Sequence, residues 1–341
     1  MAFRTLLHIL SAALLSGCAF AAPATPPAAP SYLARDDVRA FAHELADREG
    51  LDVDEVLRAL GKARAIPAVI KAILPPATPA TRSWYRYRAR YLDRLRIDGG
   101  VAFWDTHAAA LARAEEEFGV PASIIVGIIG VETVYGRVKG NFEVLSALST
   151  LAFDYPPRAE LFKRELGQLF VLAHESQRPV ESYHGSYAGA IGWPQFLPSS
   201  IRAYAVDYDG NGRIDLEGSP VDAIGSVASF LHQHGWQAGQ PVAVPAKIGD
   251  LQKANAAIET GIEPRYRAAE LAQLSVQADS PQSTDLPAAL IRLESQEVPD
   301  EFWLGYANFY AITRYNRSSF YAMSVYQLAE AVTQARKTKL K

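Results

Sequence analysis

Glu132 closes one of the most apolar stretches of this 341-residue chain, Val120 to Val131, which carries no charge. Pro121 suits the first turn of a helix, and the apolar residues after it fall on every face, so the sequence predicts a buried helix. A carboxyl group delivered by such a helix loses water, which disfavours its charged form and raises its pKa. A general acid working near neutral pH needs that property. Thr133-Val134-Tyr135-Gly136 then breaks the helix at a glycine and leaves Glu132 at an element end, where a cleft is expected. The competing reading is a buried glutamate satisfied by backbone or by Arg137.

Three further segments hold residues suited to chemistry. In Gly185–Ser199, three closely spaced glycines let backbone approach a ligand, Ser186, Tyr187 and Gln195 offer directional donors and acceptors, and Trp193 and Phe196 offer flat apolar faces. Sugars ask for that mixture, because hydroxyls need paired donors and acceptors and pyranose C–H faces pack on aromatic rings. The plain alternative is a Gly/Pro-rich loop that tucks two aromatics into the core. His184 and Ser186 lie close together, but no nucleophile-elbow pattern surrounds the serine, which disfavours serine-hydrolase chemistry.

Asp207 to Leu216 matches the opening of an EF-hand loop. Asp207, Asp209 and Asn211 stand at the first three oxygen positions, Gly212 at the turn, Arg213 where a backbone carbonyl binds, and Asp215 at the next acid position. The bidentate glutamate that should close the loop is replaced by Gly218, so the last ligand must come from elsewhere; Asp222, opening the next helix, is preferred to Glu217. Acidic groups this close repel one another without a cation, and a structural Ca2+ is expected. The last segment is Ala307–Ala322, where Tyr315-Asn316 should end one helix and Ser318 or Ser319 should cap the next. Both residues of that pair then sit at a junction; structural tyrosines in a core helix are the alternative.

Several elements must position these groups. A hydrophobic content of 49% supports a substantial core, and a net charge of -3 with no dense Lys/Arg run excludes a nucleic-acid partner. Helices are expected from Asp36-Asp37 to about Ala46, after a cap at Asp52, from about Ser83 to Leu95, from Val101 to Phe118 and from Ala159 to Glu175. Leu74–Pro79 reads as a linker. From Gln240 the texture changes, and 241–245 and 289–293 read as short strands. His232 and His234, two apart on a helix, face different sides and do not make a zinc site. At the N-terminus, Arg4 precedes a short apolar run ending in Leu15-Ser16-Gly17-Cys18, which resembles a lipobox; Cys18, the only cysteine, would then carry lipid. Cleavage after Ala19-Phe20-Ala21 is the alternative, and either reading exports the protein. Ala22 to Pro30 would be a semi-rigid spacer, and Ala19 after the cysteine points to the outer membrane.

Four motifs in order carry a family resemblance: Glu132-Thr133-Val134-Tyr135-Gly136, the Gly189–Ser199 loop, the Asp/Gly cation loop, and Tyr315–Tyr321. Together they resemble the bacterial lytic murein transglycosylases over nearly the whole mature chain. The resemblance implies a mainly α (α+β) fold: a signal segment with linker over 1–30, an N-terminal helical region over 31–98, a lysozyme-like core with the calcium loop over 99–237, a small β subdomain over 238–300, and C-terminal helices over 301–341. It implies Glu132 as the single catalytic acid, with Tyr87, Ser186, Gln195, Phe196, Tyr315, Asn316 and Tyr321 as pocket residues. Arg158 resembles one of two arginines that contact the stem peptide, although Pro157 stands beside it in place of the second, and Phe230 stands where a pocket tyrosine is expected. The family likewise closes its calcium loop with a late aspartate, which favours Asp222. No organic cofactor is expected.

Hydrolytic glycosidases ordinarily use two carboxylates, and this reading supplies one in the cleft. The expected reaction is therefore non-hydrolytic cleavage of the N-acetylmuramic acid–N-acetylglucosamine bond of peptidoglycan, giving 1,6-anhydromuramoyl ends. A hydrolytic muramidase, with Glu143 or Asp154 as second carboxylate, and a non-catalytic wall-binding scaffold are the rivals. Glycan strands are the expected partner, the protein is expected to act as a monomer, and its only link to a membrane would be lipid on Cys18 of an outer-membrane lipoprotein in a Gram-negative bacterium.

Overall fold

A computed structural model describes residues 31–75, 82–280 and 285–339. Cys18, the signal segment and the spacer, and most of the Leu74–Pro79 linker, lie outside the described residues. Ser31–Lys341 cluster as one unit of mainly helical structure.

The N-terminal region holds α1 (Asp36–Glu49), α2 (Val53–Lys62) and α3 (Pro67–Ile73). Asp52 caps α2 by accepting from the Asp54 and Glu55 amides at 2.8 and 3.4 Å, satisfying donors that a helix start leaves free. Next come α4 (Trp84–Ala89), α5 (Arg94–Thr106), α6 (Ala108–Phe118) and α7 (Ala122–Thr133). The two helices expected over 83–118 are thus three, for local reasons. Asp93 accepts from the Arg96 amide at 2.8 Å and restarts the helix at Arg94, and His107 leaves the helical region between α5 and α6.

α7 buries Ile124, Ile125, Val126, Ile128 and Ile129, as its uncharged sequence requires. Glu115 accepts from the Ala122 amide at 3.1 Å and closes its start. The short strand β1 (Phe142–Glu143) leads into α8 (Val144–Asp154) and α9 (Ala159–Glu175), and β2 (His184–Gly185) pairs antiparallel with β1. The segment then passes α10 (Pro198–Tyr204) to reach α11 (Pro220–Gln233).

A four-stranded antiparallel sheet follows, in the order β4-β3-β6-β5, from β3 (Ala243–Ile248), β4 (Val276–Ala278), β5 (Ala289–Leu293) and β6 (Glu301–Gly305). It reaches past the expected 300 boundary because Glu301–Gly305 pairs with β3 on one side and β5 on the other. The polar stretches between its strands contain α12 (Leu251–Glu259), capped by Asp250, and α13 (Ala268–Gln273). Val244, Leu290, Leu304 and Tyr306 form a small apolar core there, beside the main one.

Two helices return to the main core, α14 (Ala307–Tyr315) and α15 (Ser319–Lys339). α15 lies along α7 and α5, so closely that a Cβ at Gly127 would come within 2.8 Å of the Val325 carbonyl oxygen. The chain's C-terminal helix thereby forms one wall of the site that α7 supplies from mid-sequence.

Candidate active site

Glu132 is the second-last residue of α7, and the Tyr321 hydroxyl on α15 donates to its Oε1 at 2.6 Å. One edge of the residue reaches the surface, yet protein surrounds the carboxyl group. Loss of water pushes its pKa up to about 7, against the lesser pull of the Tyr321 hydrogen bond, which alone would lower it. No other carboxylate contributes to that shift. Burial also pushes the Tyr315 and Tyr321 phenols up, and the Glu132 charge beside them adds to the effect, so both stay protonated donors.

An aromatic layer forms the surroundings. Tyr315 stacks on Tyr321 with ring centres 6.2 Å apart at 17°, and its hydroxyl donates to the Pro194 carbonyl at 2.5 Å. Phe196 and Phe230 lie 5.6 and 4.8 Å from Tyr315. Phe230 is 5% exposed and brings a bare ring where a tyrosine hydroxyl was expected. Tyr87 packs on Phe320 at 5.5 Å and on Tyr91 at 5.1 Å. Burial foremost, then Tyr91 and the Glu132 charge, raise the Tyr87 phenol, which places it in the same electrostatic neighbourhood as the acid.

The polar residues differ in what they leave free. The Ser186 oxygen accepts from the amides of Ala188 and Ala190 at 3.3 and 3.0 Å, so its own proton is unspent. The Gln195 nitrogen donates to the Lys139 and Gly192 carbonyls at 3.0 and 2.9 Å, which commits both its hydrogens and leaves Oε1 as an acceptor. Asn316 ends α14 in extended backbone, exposed, with no side-chain partner among the described residues. Arg158 is exposed, with its guanidinium over the Phe162 ring at 5.7 Å.

The two rival carboxylates each have partners of their own. Asp154 accepts from the Tyr32 hydroxyl at 2.6 Å and from Arg35 at 2.5 Å, which fastens the N-terminal segment to α8. Glu143 accepts from the Ser146 hydroxyl at the start of α8. A cavity of about 1050 Å3 beside the cation loop is lined by Glu175, Arg178, Arg202 and Leu216. Two of its arginines are already paired, Arg178 with Glu217 at 2.6 Å and Arg202 with Glu175 at 2.7 Å.

The cation loop is folded around its own side chains. Asp207 accepts from the amides of Gly210, Asn211 and Gly212, and the Asn211 side chain accepts from the Arg213 amide at 3.1 Å. Ligand-capable oxygens of Asp207, Asp209 and Asp222 lie within 4.8 Å of one another. Asp222 is fully buried, takes backbone hydrogen bonds from Tyr208, Asp209 and Asp215, and has no basic partner among the described residues. Glu217 instead accepts from the His184 amide and pairs with Arg178, which turns it out of the loop. This all-oxygen set, with one buried carboxylate that has no basic partner among the described residues, fits a hard divalent cation.

Two positioning groups escaped sequence reasoning. The Thr133 hydroxyl donates to the Trp193 carbonyl at 3.0 Å and accepts from the Gly136 amide at 3.1 Å, so the loop is tied to the end of α7. Lys139 gives its carbonyl to Gln195 and its ammonium to the Glu217 carbonyl at 2.5 Å, which links the cation loop to the pocket. A threonine directly after the acid was a readable signal, whereas nothing local marked the lysine.

The family profile described as Transglycosylase SLT domain matches residues 34–330. Membrane-bound lytic murein transglycosylase B of Escherichia coli (strain K12) is 40% identical over 305 residues, covering 87% of this chain and 82% of the relative. The catenated lytic transglycosylase SltB1 of Pseudomonas aeruginosa superposes with a TM-score of 0.84 at 44% identity, covering 89% of this chain and 99% of that one. The Escherichia coli lytic transglycosylase Slt35, solved in complex with calcium, superposes with a TM-score of 0.78 at 39% identity, covering 88% and 94%.

The raised acid makes stability depend on pH with a definite sign. An unfolded glutamate loses its proton near 4.5, while folded Glu132 holds it until about 7. Between those values the folded state binds the extra proton, so stability is greatest below about 4.5 and falls as pH rises through 7. That penalty is on the order of 3 kcal/mol once both states are ionised. Thermal melts should therefore show Glu132→Gln more stable than the wild type at pH 8, with the gap closing at pH 4; an equal gap at both values would contradict the desolvated acid.

Proposed function

The chain belongs to the transglycosylase SLT-domain family of lytic murein transglycosylases, enzymes that cleave peptidoglycan, and on that premise we propose that it cuts the glycan strand without water, using Glu132 alone as acid and base. The observation that carries this reading is that burial pushes the Glu132 carboxyl up to about 7, with no second carboxylate among the described residues contributing to the shift. One carboxyl suffices if the substrate supplies its own nucleophile.

In this mechanism Glu132 protonates the oxygen of the β-1,4 bond between N-acetylmuramic acid and N-acetylglucosamine, and the C1–O bond breaks. The N-acetyl carbonyl stabilises the positive charge left at C1. Glu132, now ionised and held by the Tyr321 hydroxyl, takes the proton of the muramoyl C6 hydroxyl as that oxygen attacks C1. A 1,6-anhydro ring closes, Glu132 is protonated again, and no water is consumed. The free Ser186 proton and the unpartnered Asn316 amide are suited to orient the N-acetyl group, and the Gln195 oxygen to accept from a sugar N–H or O–H. Tyr87 and Tyr315, half-buried, supply the apolar faces, and the buried rings of Phe196 and Tyr321 back them.

A divalent cation, Ca2+ by the chemistry of the ligand set, would be held by Asp207, Asp209, Asn211, the Arg213 carbonyl and Asp222. It would neutralise the loop's carboxylates; its role is structural, because the loop reaches the pocket only through Leu216 and Glu217, which meet Trp193 and Lys139. The chain would work in the periplasm as a monomer on glycan strands, tethered by lipid on Cys18. The membrane-bound relative supports the tether, and no helix of the described residues is long and apolar enough to cross a bilayer.

Two measurements check these readings. Mass spectrometry of products from purified peptidoglycan digested in 18O-labelled water should show anhydro ends without 18O, absent with Glu132→Gln; reducing ends carrying 18O would make the enzyme a muramidase. Chelation should lower the melting temperature by the equivalent of about 2–3 kcal/mol at cation a hundredfold over its Kd, and Asp222→Ala should abolish that response. A melting temperature indifferent to chelator would remove the cation from the account.

A further inference from the structure

The backbone that follows Glu132 is strained. Val134 and Tyr135, neither a glycine and one β-branched, have φ of 50° and 54°. Residues held in this region cost roughly 1–3 kcal/mol each and persist only where their surroundings fix them. Backbone bonds do part of that work: the Val134 and Tyr135 amides donate to Gly130 and Ile129 carbonyls, the latter at a long 3.4 Å. The Gly136 amide on the Thr133 hydroxyl, and the Arg137 and Val138 amides on the Val134 and Thr133 carbonyls, tie the turn further, and the Tyr135 side chain adds a packing constraint.

Its ring occupies a hollow that exists because three positions carry no side chain. A Cβ at Gly99 would lie 3.0 Å from Tyr135 Cδ2, one at Gly100 would lie 2.5 Å from its hydroxyl oxygen, and one at Gly130 would collide with the same oxygen. Gly99 and Gly100 belong to α5 and Gly130 to α7, and Val332 and Leu328 of α15 border the same hollow. Phe103 closes it, with its ring 5.5 Å from that of Tyr135 at 29°. The three helices that meet here include the one that carries Glu132 and the one that carries Tyr321.

The hydroxyl itself is buried and has no hydrogen-bond partner among the described residues. A lost partner costs a buried hydroxyl about 1–3 kcal/mol, so the phenol oxygen does not recommend itself as the useful part. The ring's volume does. We propose that Tyr135 is a positioning residue whose ring, wedged between α5, α7 and α15 behind the acid, holds the strained turn and fixes Glu132 against Tyr321. The inference rests on Glu132 being the acid, as proposed above.

Two substitutions and the rate of glycan cleavage, whatever its product, test this. Tyr135→Phe keeps the wedge and removes the idle hydroxyl; its kcat should stay within about twofold and its pH profile should not move. Tyr135→Leu leaves the hollow partly empty; per folded enzyme its kcat should fall on the order of tenfold or more with KM nearly unchanged. Its Glu132-dependent pH limb should move down from the region of 7, because water reaching the carboxyl favours the charged form. A Leu variant with wild-type kcat and pH limb per folded molecule would overturn the inference, leaving only a core role. So would a Phe variant as slow as Leu, which would give the hydroxyl a chemical part. Water-added products from all variants would sink the mechanism proposed above and leave this comparison standing, whereas a fully active Glu132→Gln would remove its premise.

Discussion

Removal of water from one carboxyl group is the constraint on which the rest depends. A glutamate that must hold a proton near pH 7 has to be packed by protein, yet a substrate has to reach it. The molecule meets both demands by delivering Glu132 at the last turn of an uncharged helix, where the residue keeps one open edge. Tyr321 supplies one hydrogen bond, strong enough to orient the carboxyl and too weak to undo the desolvation.

Maintenance of that packing is distributed over distant parts of the sequence. α15 brings Tyr321 to α7 along a crossing that only a glycine at 127 permits. The Gly185–Ser199 loop is fastened to the same place by the Thr133 hydroxyl, by Tyr315 through the Pro194 carbonyl, and by Gln195 through the Lys139 carbonyl. Lys139 and Trp193 in turn hold the Glu217 and Leu216 carbonyls, at the end of the cation loop. Such a chain of backbone-directed bonds makes the geometry around Glu132 depend on the folding of the cation loop. Asp222, buried in that loop without a basic partner among the described residues, is held there by the amides of Tyr208, Asp209 and Asp215, so the proposed cation would act on the site through this same chain of bonds.

Much of this was legible in the sequence, and what was missed has physical reasons. The buried helix before Glu132, the cap at Asp52, the helix 159–175, the strand 289–293 and the junction at Tyr315-Asn316 followed from patterns within one element. The break at Arg90–Asp93 did not, since the aromatic and basic residues there support helix equally well and only the Asp93 cap decides where the chain restarts. β6 was read as part of a helical tail because a strand's identity rests on partners, and both of its partners are remote in sequence. Among site residues, the types at 132, 186, 195, 315 and 316 stood out by their chemistry, whereas Tyr87 and Tyr321 came only from the family resemblance. The roles of Thr133 and Lys139 come from carbonyls they meet only after folding.

The most direct test of the central claim is the titration of Glu132 itself, by carbon NMR of protein labelled at the glutamate carboxyl, with Glu132→Gln used to assign the signal. The account predicts a carboxyl titrating near 7, well separated from the other glutamates. A signal that titrates with the rest, near 4.5, would contradict it, because a carboxyl already ionised at neutral pH cannot be the acid this fold is arranged to supply.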